Sequence, residues 1–303
     1  MEELVEEAPM EEIVVAPPVV EEIVVATALD HTTNTPQPTR IQTPVIVPPR
    51  RHIAKPLSDK KLIFICGLHR SGTSYLQCTL GSSPRISMHT RTSVPENEGQ
   101  HIQHVYKPAR AYGGVGAFAN NPEYHYTNTS SLLTKKNNAK LLSEWGRYWD
   151  LTKPILLEKS PPNLIHTRYL QELVAQPYFI VIIRHPLVVA KASLKMNAQS
   201  LELHIKHWLI AHGIFYYDKR FLRNCKVIHY RELARPGIIN DIATFLNEDT
   251  RALCISTETF VNSDMKYLER PTHNMHILKK YEPEINAYGY SFFPPYYIKP
   301  TRA

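Results

Sequence analysis

Gly67-Leu68-His69-Arg70-Ser71-Gly72-Thr73-Ser74 is a glycine-framed loop between an apolar run, Leu62–Cys66, and the start of a helix. Its spacing is that of a phosphate loop, G-x-x-x-x-G-K-[ST], with both glycines and the final hydroxyl present. Thr73 stands where the lysine belongs. Backbone N–H groups of such a loop, backed by a helix N-terminus, cradle an anion. Without the lysine that reaches the outer phosphates, ATP hydrolysis or phosphoryl transfer is hard to support. Arg70 supplies a cation from another position in the loop. The expected ligand is a 5′-phosphate whose outer group is not a nucleotide γ-phosphate.

Three further groups have the chemistry of a site. Arg184-His185-Pro186 follows the apolar run Tyr178–Ile183 and leads into a helix reaching Ser193. An arginine at the end of a buried strand, with a hydroxyl on the next helix, suits a phosphate monoester, because guanidinium binds it bidentately. The alternative is an ordinary surface ion pair. Lys159, in Glu158-Lys159-Ser160-Pro161-Pro162-Asn163, follows a strand, and two prolines stiffen the turn and expose the side chains before it. Such a lysine either stabilises charge on a departing oxygen or is a solvated turn residue. Glu96, Glu98 and His101, in Glu96-Asn-Glu-Gly-Gln-His101, are the candidates for a general base, with helix capping as the bland alternative.

These segments together resemble the sulfotransferases that use 3′-phosphoadenosine 5′-phosphosulfate (PAPS). The loop is similar to their 5′-phosphosulfate loop, which carries R-S-G-T in place of G-K-[ST]. The resemblance implies that Gly67, His69, Arg70, Ser71, Gly72, Thr73 and Ser74 hold the 5′ end, and that Arg184 and Ser193 hold the 3′-phosphate. The family's serine spacing falls on Ala192 here, one residue before Ser193. Lys159 is similar to a lysine on the transferring group in protein-tyrosine and glycan sulfotransferases. Their tyrosylprotein branch places a catalytic glutamate in G-E-E-T-R, which aligns without gaps onto His89, Thr90 and Arg91, so that glutamate is missing. Glu-Asn-Glu-Gly-Gln resembles bacterial sulfotransferases with H-R-S-G-T-S loops instead, and implies Glu98 as base, with Glu96 and His101 behind it. Tyr230-Arg231-Glu232-Leu233 is similar to the family's R-Y-E-D-L segment and implies a tyrosine near the nucleotide. The R-K-G-x-x-G-D-W-K signature of the cytosolic small-molecule enzymes is missing, and the chain ends on Ala287-Tyr288-Gly289-Tyr290, like the bacterial and protein-directed branch. The similarity covers roughly residues 60–290. It implies direct displacement onto a hydroxyl acceptor, be it glycan, protein tyrosine, lipid or small molecule, with no metal. The rival readings are a nucleotide kinase or NTPase, and an inactive binding protein of the same fold.

The elements that must position these residues are short apolar strands alternating with helices, which is the mark of a parallel α/β sheet of phosphate-loop type. The strands expected are Leu62–Cys66, Ile155–Leu157, Tyr178–Ile183 and Lys226–His229. Helices are expected at Thr73–Leu80, from Ser200 to about Tyr217, and at Ile238–Leu246. Each strand ends in polar or cationic residues, the edge where open α/β sheets bind ligands. Residues 106–131, with Gly113, Gly114 and Gly116, read as a long irregular excursion and an acceptor-side lid.

The 303 residues suffice for one large α/β domain. Residues 1–58 hold nine acids against Arg40, Arg50, Arg51 and Lys55, a net of −5, so residues 59–303 carry +12 of the chain's +7. The tail repeats Glu-Glu-Ile-Val-Val-Ala and then turns proline-rich, so 1–58 is expected to be disordered and 59–303 to form the domain. The basic domain suits polyanions, but it lacks the arginine-rich, aromatic-interleaved helix of a nucleic-acid binder. Cys66, Cys78, Cys225 and Cys254 show neither paired nor zinc-binding spacing, which fits reduced thiols. The acidic N-terminus is unlike a signal peptide and no transmembrane run is visible, so a cytoplasmic location is expected.

Overall fold

Leu62, Phe64 and Cys66 alternate with Ile63 and Ile65 along β1 (Lys61–Cys66), and both sets are buried. A strand apolar on both faces needs cover on both, which is the condition of a central strand in a parallel sheet. The computed structural model describes residues 57, 59–255 and 260–300, and all of the expected disordered tail but Leu57 lies outside them. Around β1 stand β2 (Ile86–Met88), β3 (Ile155–Lys159), β4 (Gln176–Ile183) and β5 (Cys225–His229), in the order β2-β3-β1-β4-β5. Every pairing is parallel, with Phe64 opposite Glu158 on one side and Phe179 on the other.

The sheet divides two cores. Phe64, Phe179, Trp145 and Trp208 pack on one face, while Ile63, Ile65, Ile180 and Ile182 pack with Leu76 and Ile242 on the other. The second face is covered by α1 (Thr73–Gly81) and α6 (Ile238–Phe245). The first is covered by α2 (Lys135–Gly146), α3 (Asn163–Gln171), α4 (Pro186–Ser193) and α5 (Leu201–Asp218). Short helices α7 (Thr250–Leu253) and α8 (Met265–Leu268) and the longer α9 (Met275–Asn286) complete the described chain. No helix among the described residues is long and apolar enough to cross a membrane.

The expected strands and helices are present, and β2, α2, α3, α7, α8 and α9 are additions. Strand β2 has only three residues, too few for an alternation to show. Residues 106–131 are irregular as expected, built of three single turns of tight helix. Part of this excursion packs into the core. Phe118 and Tyr124 are fully buried, and Tyr124 stands edge-on to His166 of α3 at 4.5 Å. The aromatics that looked like loop composition are core side chains.

Candidate functional site

The chain reverses its sheet order beside β1, with β3 on one side and β4 on the other, so the loops after these strands open a crevice at their C-terminal ends. A cavity of about 400 Å³ lies there. The glycine loop forms one wall because β1 is followed directly by Gly67, whose φ of +153° and absent side chain let it press against β4. A Cβ there would meet the Ile182 carbonyl oxygen at 2.7 Å. Gly72, at φ +93°, turns the chain into α1, and a Cβ on it would strike the Tyr230 ring at 2.8 Å. Only glycine fits both places. Gly72, Thr73 and Ser74 line the cavity, so the N-terminus of α1 borders it.

Arg70 is exposed, lines the cavity and adopts a left-handed φ of +67°. His69 lines it too, and burial pushes its imidazole down to about 4, so it is neutral near pH 7. Ser71 does not line it. Its side chain is fully buried beneath the loop and its Oγ has no hydrogen-bond partner.

Arg184 emerges from the end of β4 onto the same crevice. One terminal nitrogen donates to the Arg70 carbonyl oxygen at 2.6 Å, so the guanidinium reaches the glycine turn itself. Its Nε donates to Asp264 at 2.7 Å, its other terminal nitrogen to Ser263 Oγ at 2.9 Å, and the Tyr230 ring stacks on it at 3.7 Å. Trp208 Nε1 holds the Arg184 carbonyl from α5 at 3.0 Å. Tyr230 thus lines the cavity and fills the space under Gly72 at once. Ser193 is buried and is not among the lining residues; Ala192 is.

Glu96, Glu98 and His101 line the same cavity. Lys159 is the last residue of β3 and, against expectation, is not exposed by the prolines: it is 1% accessible and does not line the cavity. Its ammonium lies behind the two carboxylates, 3.1 Å from Glu98 Oε1 and 3.7 Å from Glu96 Oε2. Glu98 also accepts from Gln100 Nε2 at 2.6 Å and faces His101 Nε2 at 3.8 Å. Burial lowers the His101 pKa, and a hydrogen bond from Ser74 does the same for Glu96, tying the carboxylate segment to the glycine loop.

Glu158 secures this segment from below. Wholly buried, its carboxylate accepts from Gly99 N–H at 3.0 Å, from Ser160 Oγ at 2.6 Å and from Asn163 Nδ2. Asn163 Nδ2 also donates to the Ile65 carbonyl at 3.2 Å, near the origin of the loop. Burial pushes Glu158 up to about 7 despite these donors. Gly99, Gln100, Asn163, Ser263 and Asp264 were not picked out from sequence. Their roles depend on partners distant along the chain, and no local spacing signals them.

A lysine-free phosphate loop at the switch point of a parallel sheet, with an arginine joined to it from the next strand, defines an α/β protein of phosphate-loop type. Residues 63–247, more than half the chain, match the family described as "Sulfotransferase family", and the chain belongs to that family. Among solved structures it is similar to a sulfotransferase from Alicyclobacillus acidocaldarius, at 15% identity over 75% of this chain and 93% of that one, TM-score 0.44. It is similar to the sulfotransferase domain of the Synechococcus PCC 7002 olefin synthase, at 16% identity over 74% and 88%, TM-score 0.42. A third is a sulfotransferase from Mycobacterium tuberculosis H37Rv, at 14% identity over 64% and 69%, TM-score 0.46. No curated protein matches the chain.

Proposed function

We propose that this protein transfers a sulfuryl group from PAPS to a hydroxyl acceptor by in-line displacement. The observation that carries the reading is that Arg70 and Arg184 line one cavity at the sheet edge, with Arg184 donating to the Arg70 carbonyl. The residues fit such a donor: two glycines whose Cβ atoms would clash keep the loop backbone open, and a half-dipole of α1 faces the cavity. When bound, PAPS supplies an activated sulfuryl group on a phosphate leaving group.

In this reading the loop N–H groups and Arg70 hold the 5′ end and offset charge on the departing oxygen. Arg184 holds the 3′-phosphate. Glu98 takes the acceptor's proton, and Lys159, placed behind it, keeps the carboxylate aimed into the cavity. The acceptor is a hydroxyl compound of the glycan, protein-tyrosine, lipid or small-alcohol kind. The missing G-E-E-T-R glutamate favours the bacterial branch over the tyrosylprotein one.

Calorimetric titration with adenosine 3′,5′-bisphosphate tests the donor site. Micromolar binding by the wild type, lost in Arg184→Ala, is expected. Wild-type protein that ignores the bisphosphate and instead binds ATP with magnesium would overturn the reading. Transfer of radiolabelled sulfate from PAPS to a panel of hydroxyl acceptors tests the chemistry.

A further inference from the structure

Helix α4 offers the cavity no hydroxyl. Ala192 occupies its lining position, and Ser193 is 2% accessible and turned out of the lining. A hydroxyl is nevertheless present beside Arg184, contributed from a segment far along the chain. Ser263 lies just before α8 and lines the cavity; its Oγ accepts from the Arg184 terminal nitrogen at 2.9 Å and stands 3.5 Å from the Tyr230 hydroxyl.

The donor inventory shows what this pair can bind. A guanidinium has five N–H groups. Arg184 commits three of them, to Asp264, Arg70 and Ser263, so two remain. A serine hydroxyl has two acceptor lone pairs, so with Arg184 and the Tyr230 hydroxyl donating to it Ser263 keeps its own hydrogen to donate. Three donors on adjacent atoms, two of them charged, suit the oxygens of a phosphate monoester. The neighbouring carboxylate does not oppose this. Asp264 does not line the cavity, its side chain is 2% accessible, and it is held by Arg184 Nε on one oxygen and the Tyr297 hydroxyl on the other. Its effect is to fix the guanidinium's long edge and leave the end for a ligand.

We infer that Ser263 takes the place of the hydroxyl that α4 lacks, and with Arg184 forms the subsite for the 3′-phosphate of the nucleotide. The inference rests on the PAPS reading above and goes beyond it in naming a binding residue from outside the strand-to-helix segment. Two nucleotides separate the two ideas, because adenosine 5′-monophosphate lacks the group Ser263 would touch.

Dissociation constants of adenosine 3′,5′-bisphosphate and adenosine 5′-monophosphate are measured by calorimetry for the wild type, Ser263→Ala, Ser263→Thr and the double variant Ser263→Ala with Ala192→Ser. Losing one hydrogen bond to a charged oxygen predicts bisphosphate binding about tenfold or more weaker in Ser263→Ala, with the monophosphate changed by less than about twofold. Ser263→Thr, which keeps the hydroxyl, retains tight binding, and Ala192→Ser in the double variant restores part of the loss. Unchanged bisphosphate affinity in Ser263→Ala, beside a large loss in Arg184→Ala, overturns the role of Ser263 while leaving the donor reading standing. Equal loss for both nucleotides overturns it too, since that marks a collapsed wall. A wild type that binds the bisphosphate no tighter than the monophosphate removes the donor reading and the inference together.

Discussion

Glu98 is engaged by Lys159, Gln100 and His101, yet still borders the cavity, an arrangement that fixes a carboxylate's direction without sealing it off. General-base catalysis contributes about 10²- to 10⁴-fold, so Glu98→Gln is expected to lower kcat of sulfuryl transfer by at least about 10². Bisphosphate affinity should hold within about twofold. If His101→Ala removes the rate and Glu98→Gln spares it, the neutral imidazole is the base instead. Lys159→Met leaves two carboxylates facing each other without their buried cation, and here rate and thermal stability should fall together. A Lys159→Met protein with wild-type stability would contradict the pairing. Strain gathers at the same place: Arg70, Glu96 and Asn97 all have left-handed φ, between +50° and +67°. Such residues cost about 1–3 kcal/mol each and persist where surrounding contacts over-determine them. Here the contacts are the Ser74–Glu96 bond and the Arg184–Arg70 bond.

At the scale of elements, the site is a set of strand ends. β1 delivers the loop, β3 delivers Lys159, β4 delivers Arg184 and β5 delivers Tyr230, all at the C-terminal edge that parallel strands share. The segment 95–101 belongs to no strand, so it must be fastened, and Glu158 and Trp145 do this through the two backbone groups of Gly99. A Cβ on Gly99 would lie 2.4 Å from Glu158 Oε1, against a carboxylate that neighbours hold on both oxygens. Gly99→Ala is therefore expected to destabilise the protein by about 1–3 kcal/mol, the usual range for overpacking, and to displace Glu98. Denaturant unfolding checks the first effect and the transfer assay the second. An alanine variant with unaltered midpoint and rate would show that the segment is not anchored there. Helix α4 begins on Pro186 at its first turn, where the missing N–H costs nothing, and its start is capped by His185 Nδ1 accepting from Leu187 N–H.

Across the whole molecule, buried histidines set the acid response. Burial pushes His69 and His185 down to about 4, and His89, His166, His207 and His212 down to about 3. The unfolded chain takes up these protons below its ordinary histidine value of about 6.5, while the native state does not, so stability is lost as pH falls from 6.5. Glu158 acts in the opposite sense. The native protein keeps its proton up to about 7 and the unfolded chain releases it above about 4.5, so its contribution fades as pH rises through that window. Six histidines outweigh one glutamate, and the melting temperature should drop between pH 7 and pH 5. A level or rising value would mean that these imidazoles are not buried neutral.

The parallel sheet was legible in the chain because β1, β3 and β4 are short apolar runs that need cover on both faces. The glycine loop was legible because its demand on the backbone is local, met by Gly67 and Gly72 at a fixed spacing. Arg184 and Lys159 could be picked out because each ends a strand. Which way they turn could not. A strand's alternation says that Lys159 and Glu158 point to opposite faces, but not that Glu98 from a separate segment would close over the lysine. Nor did any pattern near Ser263 announce a hydroxyl, since its partner lies 79 residues earlier in the chain. Local chemistry, periodicity and backbone freedom are properties of adjacent residues, and the sequence alone determined those. The pairing of carboxylates with the buried ammonium, the contact of Ser263 with Arg184 and the clasp on Gly99 are contacts across long loops, and only the packed structure decides them.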